Sequence, residues 1–245
     1  MVNFGLPIEL EQQIVDGIRR GEQQYLQMRL RENPRLKVSN GLSWARGNYI
    51  DTYVGETVEK NPNMDYKVGK AGYTWEYLQF AYTKSESQKS LIFVKSIRTI
   101  EPQFNGSKNQ ITDYMDDYAG INNFWVNNGE LKGIGTGQPF QLELMPNTEK
   151  LDSTSFQRFY IVTYDHDENG LLSKVVLTMP NQQTHKLFQV EDLTPLMDSS
   201  SIEFTEDEME IASGSNSNVP DAAYGSGEYG YEIAEPETKL SDTEK

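Results

Sequence analysis

The sequence predicts an α+β fold: an antiparallel sheet built from two hairpins, with an N-terminal helix and a middle helix packed on it. Three observations predict it. Apolar residues recur at helical spacing through the first 32 positions, two pairs of aromatic and β-branched runs alternate about polar turns, and the composition changes abruptly near Ser199. The last observation divides the chain into an α+β domain over 1–199 and an acidic low-complexity tail over 200–245, expected to be disordered.

The first element is the helix. Pro7 suits a first helical position, and Ile8–Glu32 is rich in Glu, Gln, Leu and Arg. Leu10, Ile14, Ile18, Tyr25 and Met28 draw one apolar stripe, Gly17 and Gly21 are expected to kink or divide the helix, and Asn33-Pro34 ends it. Ser43–Val54 follows as a turn leading into a strand, because Tyr49, Asp51 and Tyr53 alternate with Ile50, Thr52 and Val54. A polar loop is expected from Gly55 to Ala71, with Asn61-Pro62-Asn63 as turn chemistry.

The first hairpin is read at Tyr73–Thr83 and Ser90–Ile97, the second at Ser155–Tyr164 and Leu171–Met179, closed by Pro180-Asn181. Between them, Ile111, Tyr114, Met115 and Tyr118 mark a helix over 109–122 with Gly120 as its C-cap, and Phe140, Leu142 and Leu144 mark a short strand. Lys186–Val190 is expected to add an edge strand, and Glu191–Met197 a helical turn or two.

Charge limits the partners. The formal net charge is −15, and the segment from Ser200 onward carries 12 acidic residues against Lys239 and Lys245, so −10 of it lies in the tail. An acidic balance argues against broad, sequence-independent affinity for nucleic acid, which needs Lys and Arg to displace counterions, while leaving room for a local basic groove. There is no cysteine, hence no disulfide, thiolate metal site or cysteine nucleophile. The N-terminus shows no secretory pattern and no apolar run is long enough for a membrane span, so a cytoplasmic protein is expected. In the tail, Ile202, Phe204, Met209 and Ile211 interrupt an otherwise polar stretch, the one part suited to docking.

Several segments invite a chemical reading. Asp165-His166-Asp167-Glu168-Asn169-Gly170 matches the first half of a calcium loop, but Val176 stands where a bidentate Glu is needed, and strands flank it. Hairpin turn chemistry explains it better. His166 and His185 are the only histidines, the first expected in a turn and the second in a polar loop, both exposed. Metal-dependent nuclease chemistry needs clustered carboxylates and a lysine near the ends of adjacent strands. Asp51 and Lys95 are candidates for two of these groups, while Phe93 occupies the position two before Lys95 where a Glu-x-Lys motif has its acid. The glycine-rich stretch 129–137 lacks the Gly-Lys-Ser/Thr ending of a phosphate loop. Trp44, Tyr49, Tyr53 and the aromatics of the first hairpin sit near Arg46, Lys84 and Arg98, a composition shared by sheet cores and by stacking platforms for single strands. The binding residues singled out are Trp44, Arg46, Asp51, Lys95 and Arg98. No catalytic residue, metal or cofactor is assigned.

Ser43-Trp44-Ala45-Arg46-Gly47-Asn48-Tyr49-Ile50, the strand end Leu91-Ile92-Phe93-Val94-Lys95 and Tyr114-Met115-Asp116-Asp117-Tyr118 occur in this order. Together they resemble a family of Gram-positive bacterial and phage proteins that includes ClpXP-sensitive toxins encoded beside a repressor-type antitoxin. The resemblance implies an intracellular toxin-like or conflict-related protein acting through a macromolecular partner, either an antitoxin or a host target. It supplies no catalytic residue. The competing readings are a non-enzymatic acidic binding or inhibitor protein of phage origin, and the metal-dependent nuclease.

Overall fold

The apolar stripe of the first segment becomes α1, Ile8–Glu32, in a computed structural model that describes residues 3–71, 75–85, 88–104, 112–128 and 155–214. Leu10, Ile14, Val15, Ile18, Tyr25 and Leu26 are all buried along one side of this 25-residue helix. Pro7 stands just before it with extended backbone, and Asn33–Arg35 closes it as a 3-10 turn.

Gly17 and Gly21 do not divide the helix. They admit a second one. A methyl group on Gly17 would lie 2.5 Å from the Val54 Cα, and one on Gly21 would lie 2.5 Å from the Ile50 Cα. That neighbour is α2, Arg46–Val58, and it corrects the strand expected at 43–54. The alternation of aromatic and β-branched residues misled the reading. Ile50, Val54 and Val58 are four apart, all fully buried, and form the stripe that seats against the two glycines. Close helix packing outweighed the strand preference of the individual residues.

The expected loop over 55–71 is also corrected, since it contains β1, Met64–Ala71. Both hairpins form as expected: β2 is Trp75–Ser85 with β3 at Gln88–Ser96, and β4 is Arg158–His166 with β5 at Leu172–Asn181. Pro180-Asn181 does not close the second hairpin, because β5 runs through it to pair with the expected edge strand β6, Lys186–Asp192. The sheet has six strands in sequential order, antiparallel except at its centre, where β3 and β4 run parallel from Ser90↔Arg158 to Ser96↔Tyr164. A parallel pair requires a crossover. Its described parts are α3 (Ile97–Phe104), α4 (Asp113–Ala119) and α5 (Asn123–Asn127), of which α4 falls within the middle helix expected at 109–122. The strand expected at 140–144 and the glycine-rich stretch 129–137 lie outside the described residues.

Two cores result. Phe80, Ile92, Val94, Tyr160, Val162 and Leu177 face α1 and α2. Tyr77, Leu91, Phe93, Phe159 and Ile161 turn to the other face, against Ile100, Phe104, Met115 and Tyr118 from α3 and α4. β3 and β4 are therefore buried almost continuously, their alternating side chains serving two helix layers at once.

The tail expected from 200 begins with ordered chain. Thr194–Ser199 makes the expected helical turn in 3-10 form, and Glu206–Gly214 is a further helix, α6, with Ala212 buried against the Tyr25, Leu26 and Met28 side of α1. Phe204 and Ile211, noted as exceptions to the tail's polarity, pack at this junction. Residues 215–245 lie outside the described residues. No helix among the described residues is long and apolar enough to cross a membrane.

Candidate functional site

The carboxyl ends of the parallel strands carry β3 past Lys95 and β4 to His166, and both α1 and α2 lie over this end. In open sheets with helices on their faces, ligands gather at the carboxyl ends of strands. Here that end holds a group of buried ionisable side chains, Glu22, Asp51 and His166 among them.

Its centre is Glu22, on the buried face of α1 and fully enclosed. One carboxylate oxygen lies 3.2 Å from His166 Nε2, and the other lies 3.5 Å from an Arg46 guanidinium nitrogen at the start of α2. The Arg46 guanidinium also stacks on the Tyr25 ring, 4.7 Å from its centroid, so its position is fixed from two sides. His166 is not exposed as expected. It continues the inward alternation of Tyr160, Val162 and Tyr164, and its ring meets Tyr164 edge to face. The turn begins one residue later, with Asp167 accepting the N–H groups of Asn169 and Leu171 and Gly170 adopting positive φ. His185 is also only half-exposed, in the tight turn between β5 and β6.

A second pair adjoins the first. The β2–β3 ladder ends at Phe80↔Ile92, so the two strands separate beyond it. Asp51 of α2 enters that gap and accepts the Leu78 N–H at 3.0 Å. Burial raises the Asp51 carboxyl above the usual aspartate range, opposed by the charge of Lys95 and by the Leu78 hydrogen bond. Lys95, the second-last residue of β3, holds its ammonium 4.5 Å over the Tyr77 ring. Burial lowers its pKa and the Asp51 charge resists that shift. Tyr164 joins the two pairs electrostatically: burial raises its phenol first, the carboxylates of Asp51 and Glu22 raise it further, and Arg46 opposes them.

Arg98, in the first turn of α3, reaches the same edge. It lies 3.3 Å from Asp165 and donates to the His166 carbonyl at 3.1 Å. Four of the five residues singled out from sequence, Arg46, Asp51, Lys95 and Arg98, are thus brought together. Trp44 stands apart, 43% exposed on the 3-10 turn Asn40–Ala45 that leads into α2. Sequence reasoning missed Glu22 and His166. The signal for Glu22 was its place on the apolar stripe, four residues after Ile18 and three before Tyr25.

Chemically, the basic side chains here meet acidic ones: Arg46 and His166 share Glu22, Arg98 lies against Asp165, and the Asp51 charge acts on Lys95. Among the described residues, no three His, Asp or Glu side chains converge to ligate an ion. Phe93, where nuclease chemistry would place a second acid, is buried among Tyr77, Tyr118 and Phe159. The depression lined by Leu30, Asp207, Glu210 and Ile211 lies two turns farther along α1, away from this group. No family model, no curated protein and no solved structure matches this chain.

Proposed function

We propose that this chain is a toxin-like protein that acts by binding a macromolecular partner, with the charged end of β3 and β4 as the contact surface. The observation that carries the proposal is the gathering of Arg46, Asp51, Lys95 and Arg98 around the carboxyl ends of β3 and β4, where the buried Glu22–His166 pair lies. Buried ionisable networks cost desolvation and are weak devices for stability, so their concentration at strand ends supports reading this end as a functional surface. The outer members, Arg98 and Asp165, are exposed enough to exchange their ion pair for one with a partner. Such a rim sets specificity and association rate in protein complexes. Together with the sequence resemblance, this favours a toxin that engages a host protein or an antitoxin.

The test is expression of the chain alone in a Gram-positive host, with and without ClpX, beside an Arg98→Glu variant. The reading expects growth arrest that deepens without ClpX and weakens in the variant. Unimpaired growth in both hosts would remove it.

One observation favours a second reading, the metal-dependent nuclease: the buried Asp51 carboxylate enters the gap where β2 and β3 separate, and its charge acts on Lys95 of β3. Magnesium-dependent cleavage of DNA or RNA that is lost in Lys95→Met would support this reading, and absence of cleavage across both substrate classes would eliminate it.

A further inference from the structure

The outer edge of the sheet has a property that its neighbours lack. β1 is the first strand in the order, and among the described residues no strand pairs with its outer side. Its pairing with β2 fixes which groups point outward. The Thr83 N–H donates to the Asn63 carbonyl, so odd-numbered residues of β1 direct their backbone groups toward β2, and Tyr66 and Val68 direct theirs away. The Tyr66 N–H meets only the adjacent Asp65 carboxylate, at 2.8 Å. Tyr66 and Val68 are also among the exposed large hydrophobic residues of the protein, at 37% and 52%.

The run Met64-Asp65-Tyr66-Lys67-Val68 is self-complementary about its centre: apolar, acid, aromatic, base, apolar. An antiparallel strand pair related by a two-fold axis normal to the sheet places residue i opposite residue j with i and j on the same face. With the axis at Tyr66, Asp65 of each copy faces Lys67 of the other, Met64 faces Val68, and the two Tyr66 rings meet at the centre. Tyr66 then forms a hydrogen-bonded pair with its symmetry mate, which replaces the Asp65 carboxylate on its N–H and releases that carboxylate for Lys67. Moving the axis by one residue, to Lys67, sets two ammonium groups opposite each other, which is destabilising. Charged residues on an edge strand ordinarily block pairing. On this edge they permit one register and oppose its neighbour.

We infer that β1 is a self-association edge, joining two copies of this chain through the Met64–Val68 run into one continuous sheet across a two-fold axis. The contact is isologous and closes at two subunits. Because one short strand edge supplies the core of it, the dimer is concentration-dependent rather than obligate.

Sedimentation velocity of the full chain over a concentration series tests this, with two charge reversals. Asp65→Lys and Lys67→Glu each replace two attractive cross-strand pairs by two repulsive ones, and each alone is expected to weaken self-association roughly tenfold or more. Mixed in equal amounts, the two variants restore every pair, one copy supplying two lysines and the other two acids, so the mixture dimerises where neither variant does alone. Both side chains point to solvent or lie at the edge, and circular dichroism confirms that each variant is folded. A wild-type chain that stays monomeric at its solubility limit, or a dimer that both reversals leave intact, would overturn the inference. Monomeric variants whose mixture also remains monomeric would do the same.

Discussion

Two glutamates on the same face of α1 show how differently one fold treats equal burial. Glu11 and Glu22 are three turns apart, both essentially inaccessible to water. Glu22 meets Arg46 and His166. Glu11 meets another acid, Glu191 of β6, and its one opposing contact is the Leu6 N–H at 3.1 Å. Burial, followed by the Glu191 charge, raises the Glu11 carboxyl to about 7. Tyr160 and Arg158 are the other ionisable neighbours at that end: Tyr160 donates to the Phe4 carbonyl, and Arg158 donates to that of Asn3. The lesson is that a buried carboxylate on an apolar stripe carries no fixed meaning. Its partner decides whether it anchors cations or holds a proton.

The largest effect that would sharpen this contrast is removal of Glu22. Glu22→Ala leaves the half-buried Arg46 and the buried His166 without their acid, and breaking a buried pair from one side costs about 3–5 kcal/mol. Urea unfolding should show a loss in that range. A loss below about 1 kcal/mol would mean that the pair carries little of the local structure.

At Glu11 the expected effect is a pH dependence. The folded pKa of about 7 exceeds the ordinary value of 4.5 for the unfolded chain. Between these values the native state holds a proton that the unfolded state has released, so stability falls as pH rises. The contribution is fully present below about pH 4.5 and is lost as pH passes through 7, amounting to at most about 3 kcal/mol. Glu11→Gln should flatten this part of the curve. Asp51 is shifted in the same direction, which makes the difference between variant and wild type the informative quantity.

Gly21→Ala probes the Glu22 end through packing. Alanine raises helix propensity by about 1 kcal/mol, but its methyl group would lie 2.5 Å from backbone in α2, which cannot yield as a side chain can. The clash wins, α2 and Arg46 are displaced, and a net loss of about 1–2 kcal/mol is expected in the same unfolding assay. A gain in stability would show that α2 is not seated in this way.

Much of this was legible in the sequence, and the failures share a cause. α1 and both hairpins declared themselves because their periods agree with their composition. α2 did not, because Tyr49–Val54 alternates like a strand while its buried contacts fall every fourth residue, a pattern that matters only once Gly17 and Gly21 offer a groove. β1 was hidden by Asp, Lys and Gly, which belong to a solvated edge strand as readily as to a loop. The parallel joint between the hairpins left no local mark. At the site, Arg46, Asp51, Lys95 and Arg98 stood out as charges among aromatics, whereas Glu22 looked like one more polar residue of a helix rich in Glu and Gln. His166 was assigned to a turn that starts one residue later.

The most direct test of the contrast is a pair of double-mutant cycles at pH 8, one on Glu22 and Arg46 and the other on Glu11 and Glu191, read as unfolding free energies. The account predicts couplings of opposite sign: favourable for Glu22 with Arg46 by at least about 1 kcal/mol, unfavourable for Glu11 with Glu191. Couplings of the same sign, or none at either end, would contradict it.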